Sequence, residues 1–172
     1  SRVLWKDPRV VIALIGMPWI NTCKNSMVCF QHCNCKKENL VANKICHMEN
    51  FDKKAHWEKI YQTKSLQEVS WFQPKPETSL NFFSEFKIAK DAKIIDIGGG
   101  DSLLVDHLLD LGYTDITVLD ISEAALTKAK TRLGNKTGLV KWIEADAATF
   151  VSNVQYDFWH DRAAFHFLTS AQ

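Results

Sequence analysis

The residues most able to do chemistry stand together in Asp96-Ile97-Gly98-Gly99-Gly100-Asp101-Ser102. Glycines placed directly after a β-branched run let the backbone approach a ligand without side-chain obstruction. The next acid at the end of an apolar run is Asp120, 24 residues after Asp96. A carboxylate there can accept both hydroxyls of a ribose. A dinucleotide fingerprint needs a third glycine in G-x-G-x-x-G, and after Gly98 and Gly100 that position is Leu103. Pyrophosphate also prefers bare helix amides with no anion nearby, whereas Asp96 puts a carboxylate two residues before the first glycine. The pattern therefore suits a nucleoside-like ligand that carries positive charge, and it disfavours an NAD-dependent oxidoreductase. Asp101 reads as a helix N-cap rather than a ligand contact.

These residues need elements to hold them. An amphipathic helix is expected over Lys54–Tyr61, then a loop marked by Pro74 and Pro76, then a helix from Leu80 to Phe86 capped by Ser79. A strand is expected at Lys93–Ile97. A helix follows from Ser102 to Leu111, with Leu104, Leu108 and Leu111 on one face, and a left-handed Gly112 ends it. The polar side of that helix carries His107, read as solvated. Ile116–Asp120 is the second strand, and Ser122 caps a helix that runs to Leu133 and closes at Gly134. Leu139–Glu144 and Tyr156–His160 are two further strands, and Ala163–Thr169 opens another helix. Strands alternating with helices imply a parallel, doubly wound α/β sheet, whose ligands sit at the carboxyl ends of the strands.

The ordered motifs resemble those of class I S-adenosylmethionine-dependent methyltransferases. Asp96-x-Gly98-x-Gly100 is similar to the family's glycine motif, and Val118-Leu119-Asp120-Ile121-Ser122 to the acidic motif after strand two. Glu144-Ala145-Asp146-Ala147 matches the position that contacts adenine, and Tyr156-Asp157-Phe158-Trp159-His160-Asp161-Arg162 the motif at the end of strand four. The likeness runs from about Asp52 to Gln172. It is closer still to small bacterial methyltransferases and to elongation-factor-lysine-methyltransferase-like proteins, through His56-Trp57-Glu58-Lys59-Ile60-Tyr61, Val69-Ser70-Trp71-Phe72 and Trp159–Leu168. One departure is Ser102, where many such enzymes have a third glycine.

The resemblance implies a Rossmann-like fold, S-adenosylmethionine as cofactor, and methyl transfer by in-line displacement without a metal. Asp96, Gly98, Gly99, Gly100, Asp120, Ile121, Asp146 and Ala147 would hold the cofactor. Trp57, Tyr61 and Trp71 would fold over it, the alternative being plain core aromatics. His160 and Asp161 are the candidate catalytic residues, as a proton-accepting pair, the alternative being pocket wall. The acceptor, a protein lysine or a small molecule, is not readable. A family sheet of about seven strands implies that strands after the fourth are missing. The fourth strand is then a bare edge, and the chain is expected to be marginally stable and inactive. A non-catalytic cofactor- or partner-binding fragment is the competing reading.

Bulk properties divide the chain. It has 172 residues, 46% hydrophobic and 24% charged, with a net charge of +1. Residues 1–47 hold seven Lys/Arg, two Asp/Glu and all five cysteines, whereas residues 48–172 hold fourteen Lys/Arg and eighteen Asp/Glu. We read 1–47 as a leader of uncertain status without helical or strand period, 48–90 as a helical cap and 91–172 as an incomplete cofactor-binding core. Met48 is expected near the natural start. Within the leader, Cys29 and Cys33 fit zinc spacing, but Cys35 and the Cys46–His47 pair do not complete a site, so no metal is expected. The apolar run Val10–Ile20 is too short to span a bilayer and lacks a signal-peptide cleavage site. The mildly acidic core argues against nucleic acid, and its lack of cysteine fits a reducing, cytoplasmic setting. A monomer is expected.

Overall fold

The computed structural model describes residues 11–14, 52–162 and 164. The cysteine cluster, Met48 and, apart from Ala164, the expected helix Ala163–Thr169 lie outside the described residues.

Five strands form one parallel sheet: β1 (Val11–Leu14), β2 (Lys93–Ile97), β3 (Asp115–Asp120), β4 (Val140–Glu144) and β5 (Phe158–Asp161), in the spatial order β1-β5-β2-β3-β4. Among the described residues four α-helices accompany them: α1 (Lys53–Thr63), α2 (Glu77–Glu85), α3 (Leu104–Asp110) and α4 (Glu123–Leu133). The α/β reading with parallel pairing holds. The bare edge expected beyond the fourth strand does not: Val11–Leu14 pairs in parallel with Phe158–Asp161. The leader shows no clear strand period in its sequence, yet Val-Ile-Ala-Leu supplies a strand, in keeping with its β-branched Val and Ile.

Pleating divides the sheet's side chains between two faces. Ile94, Ile116, Val118 and Phe158 pack with Phe83 of α2, Leu104 and Leu108 of α3, and Leu126 and Leu133 of α4. Phe83 and Phe158 are fully buried, each contributing about 1.5–3 kcal/mol by the area removed from water. On the other face Ile95, Ile97 and Leu119 pack with Tyr156, Trp159 and Phe150.

Several helix ends follow local chemistry. Asp52 caps α1 by accepting from the Ala55 amide, and Ser122 caps α4 by accepting from the Ala125 amide. Gly112 is left-handed at φ +84° where α3 ends. Other expectations are corrected. Ser79 is not a cap but lies inside α2 with its side chain buried, because the helix starts earlier, after Pro76. Leu111 lies beyond the short α3 and is exposed. His107 is partly exposed, as a polar-face residue should be, with its Nε2 3.0 Å from the Pro74 carbonyl.

Candidate functional site

The carboxyl ends of β2 and β3 lie side by side, with Ile97 paired to Leu119. Just beyond them the amides of Gly98 and Gly99 both donate to the Leu119 carbonyl, at 2.8 and 3.2 Å. That pins the glycine turn against β3. Gly98 and Gly100 have φ of +65° and +49°, a region that side chains other than glycine rarely enter. The turn is also crowded. A Cβ on Gly99 would stand 2.6 Å from Asp96 Oδ2, and one on Gly100 would stand 2.7 Å from the Tyr61 hydroxyl and 3.0 Å from Asp120 Oδ2. A Cβ on Gly98 would meet Ala164 Cβ at 2.6 Å. Two carboxylates thus look onto one bare stretch of backbone.

Their surroundings differ. Asp120 Oδ1 accepts from the Ser122 amide at 2.9 Å. Burial pushes its carboxyl up to about 6; amide hydrogen bonds from Ser122, Ile121 and Gly100 pull the other way, and the charge of Asp96 adds to the rise. Asp96 Oδ1 instead lies 2.6 Å from His160 Nδ1, and His160 Nε2 lies 3.0 Å from the Ser79 hydroxyl. All three of those side chains are buried.

The expected proton-accepting pair is therefore not what the fold builds. Successive strand residues point to opposite faces. His160 shares its face with Asp96, its register partner on β2, while Asp161 pairs with Ile97. With both ring nitrogens engaged inside the protein, His160 presents none to a substrate. Asp161 is buried at the end of β5.

The aromatic residues do come together. Trp57 and Tyr61 on α1 and Trp71 after it cluster with ring centroids 5.7–6.5 Å apart, and the Tyr61 hydroxyl reaches Gly100. Burial, with Asp120 nearby, raises the Tyr61 phenol, so it stays protonated at neutral pH. Ile121 and Asp146 line a cleft of about 470 Å³ together with Asp52, Lys53, Lys54, Glu144 and Ala145. Asp146 Oδ1 accepts from the Ala148 amide at 2.9 Å, which shapes the turn carrying Ala147. Asp96 and the glycines are not in this cleft's wall; they stand under the aromatic cluster.

Three side chains that brace the site carry no local sequence signal. Glu58 of α1 accepts from the Ser122 hydroxyl at 2.7 Å and from the Ala124 amide at 3.2 Å. Burial pushes Glu58 up, but these hydrogen bonds outweigh it and hold the carboxyl low. Arg132 of α4 contacts the carboxylates of Asp101 and Asp106 and the Asp101 and Ser102 carbonyls. Asp101 is therefore an ion-pair partner and not the expected N-cap, while Ser102 Oγ accepts from the Leu104 amide. Arg162, with burial holding its guanidinium below its usual range and Asp96 and Tyr61 opposing, donates to Gln73 at 2.8 Å. Among the described residues no group of three or more His, Cys, Asp and Glu is placed to hold a metal, and no helix is long and apolar enough to cross a membrane.

Residues 94–172 match the family model described as "Methyltransferase domain". From β2 onward the chain is therefore similar to S-adenosylmethionine-dependent methyltransferase domains. Among its relatives, "eEF1A lysine and N-terminal methyltransferase" of Mus musculus is 29% identical over 98 residues, covering 57% of this chain and 14% of that protein. The Homo sapiens protein of the same description is 32% identical over 75 residues, covering 44% and 10%. "EEF1A lysine methyltransferase 2" of Mus musculus is 29% identical, covering 49% and 37%. This chain thus spans between 10% and 37% of these curated relatives' length. Among solved structures, YJHP of E. coli has a TM-score of 0.50 at 25% identity, covering 61% of this chain and 44% of that one. Phosphoethanolamine N-methyltransferase 1 of Haemonchus contortus also has a TM-score of 0.50, at 16% identity, covering 63% and 24%; it bears on the fold alone.

Proposed function

We propose that the methyltransferase domain binds S-adenosylmethionine across the carboxyl ends of β2, β3 and β4 and passes its methyl group to an amine. The observation that carries this is the pair of buried carboxylates, Asp96 and Asp120, facing one glycine turn that has no room for a Cβ. A phosphate ligand would be repelled there. A ligand with an ammonium, a sulfonium and ribose hydroxyls matches the donor set.

When bound, the cofactor supplies a methyl group made electrophilic by its sulfonium, with a neutral thioether as leaving group. The chain's part is to orient and to exclude water. Asp120, with Ile121 beside it, would accept from the ribose hydroxyls; Asp96 would hold the ammonium; Gly98, Gly99 and Gly100 would give the backbone access. Asp146 and Ala147 border the adenine end, at the cleft between β4 and the start of α1. Residues 48–90 would act as a cap, with Trp57, Tyr61 and Trp71 clustered over the glycine turn where the methionine end would be held. No proton acceptor is assigned to His160, given its two internal partners, so an amine acceptor arrives deprotonated or loses its proton elsewhere.

The acceptor we propose is a lysine amine of a protein, supported by the similarity to eEF1A lysine methyltransferases. A monomer acting in the cytoplasm without nucleic acid completes this reading, supported by the acidic, cysteine-free stretch 48–172. The test is incorporation of labelled methyl from S-adenosylmethionine into purified eEF1A and into a panel of small amines. Label on eEF1A lysine is the expected result. Label on a small amine alone overturns the acceptor, and cofactor binding with no transfer to any acceptor favours a binding module.

A further inference from the structure

The Asp96–His160–Ser79 chain joins three segments far apart in sequence. Ser79 lies on α2 in the cap, His160 on β5 and Asp96 on β2. Their exposures are 1%, 2% and 4%, so the hydrogen bonds of 2.6 and 3.0 Å that link them are shielded from bulk solvent. A carboxylate only accepts, so His160 Nδ1 carries the proton and donates to Asp96 Oδ1. In the neutral ring Nε2 then accepts from the Ser79 hydroxyl. The ring is packed beside Phe83, at a centroid distance of 6.3 Å, which limits its rotation. One Asp96 oxygen is thereby committed to the interior, while the other, Oδ2, faces Gly99.

We propose that His160 and Ser79 are positioning residues that lock the Asp96 carboxylate with Oδ2 turned to the glycine turn, and so set the affinity for the amino-acid end of the cofactor. This rests on the cofactor reading above. A residue whose only role is to hold the fold would, when changed, weaken every ligand of the site alike. A residue that aims Asp96 affects ligands that have an ammonium and spares those that do not. Methylthioadenosine keeps the adenine and ribose but lacks both the amino-acid arm and the sulfonium charge, so S-adenosylhomocysteine, a neutral thioether that keeps the arm, is titrated beside it and is expected to lose affinity in parallel with S-adenosylmethionine.

The experiment is titration calorimetry of the full chain with S-adenosylmethionine and with methylthioadenosine. His160→Phe keeps the ring volume and removes both hydrogen bonds. His160→Asn places an amide donor where Nδ1 stands, and Ser79→Ala removes the outer link alone. A charge-assisted hydrogen bond is involved, so His160→Phe is expected to weaken S-adenosylmethionine about tenfold and methylthioadenosine less than about twofold. His160→Asn is expected to restore most of the loss, and Ser79→Ala to weaken S-adenosylmethionine about twofold to threefold, with methylthioadenosine unchanged. If His160→Phe does not fold, the other two variants carry the test by the ratio of the two affinities. Equal losses for both ligands, or an Asn variant no better than Phe, overturn the proposal while leaving the cofactor reading intact. Wild-type protein that binds neither ligand overturns that reading, and the proposal with it.

Discussion

Asp96 and Asp120 are the same residue at equivalent ends of neighbouring strands, yet the fold holds them by different means. Asp120 is held locally, by amides of its own turn and of Gly100. Asp96 is held by a histidine 64 residues away and, through it, by a serine in the cap. The difference teaches that one carboxylate is a strained element of the site and the other a structural joint. Burial disfavours the ionised form of Asp120 and raises its carboxyl to about 6, which is the expense of keeping a charge where a ligand will need it. Asp96 instead ties the cap to the sheet.

The sharpest way to break this comparison is to neutralise each carboxylate in turn. Asp96→Asn and Asp120→Asn are both expected to weaken S-adenosylmethionine at least tenfold, by calorimetry, since each removes a charged acceptor. Their effects on the unliganded protein should have opposite signs. Asp96→Asn is expected to lower the melting temperature, because His160 loses a buried charge-assisted partner worth about 1.5–3 kcal/mol. Asp120→Asn is expected to raise it at pH 7, because the buried carboxyl, pushed up to about 6, no longer has to ionise in the folded state. Two shifts of the same sign would remove the distinction.

The turn between them comes next. Gly100→Ala puts a Cβ at positive φ and 2.7 Å from the Tyr61 hydroxyl. A cost of about 1–2 kcal/mol is expected from the left-handed backbone, seen as a fall of roughly 2–8 °C in melting temperature. Cofactor binding should weaken with it.

The pH profile isolates Asp120. Its folded value of about 6 lies above the unfolded 3.8, so the folded state binds the proton more readily. Its contribution to stability is full below 3.8 and is lost as pH rises to about 6. Thermal melts of the unliganded chain from pH 4 to 7 should show this decline against Asp120→Asn, which lacks it. S-adenosylmethionine affinity should rise over the same window.

The smallest expected effect is at Glu58, which braces the Asp120 side from α1. Glu58→Ala should cost about 1 kcal/mol, the size of a lost helix cap, measured by chemical unfolding. It should leave the preference for S-adenosylmethionine over methylthioadenosine unchanged. A shift in that preference would blur the two carboxylates' roles.

The two regions were also unequally legible. The Asp120 side could be read because its partners are neighbours: Ile121 and Ser122 follow it in the chain, and strand-then-cap is a local pattern. The glycine turn was legible for the same reason. The Asp96 joint was not, because His160 and Ser79 meet it only through sheet register and helix placement. His160 read as a candidate proton acceptor because its type suggests that chemistry, whereas its face on β5 turns it inward. Ser79 read as a cap because serine before an apolar stretch fits one, but the helix had already begun at Glu77. Asp101 was misread similarly, since Arg132 reaches it from 31 residues away. The edge strand Val11–Leu14 was hidden by its surroundings, four residues in a segment otherwise without period.

The most direct test of the central claim is calorimetric titration of the 172-residue chain with S-adenosylmethionine and, separately, with NAD. Saturable one-to-one binding of S-adenosylmethionine, lost in the Asp96→Asn, Asp120→Asn double variant, with no heat from NAD, is the predicted result. Binding of NAD alone, or S-adenosylmethionine binding indifferent to both carboxylates, would contradict the account.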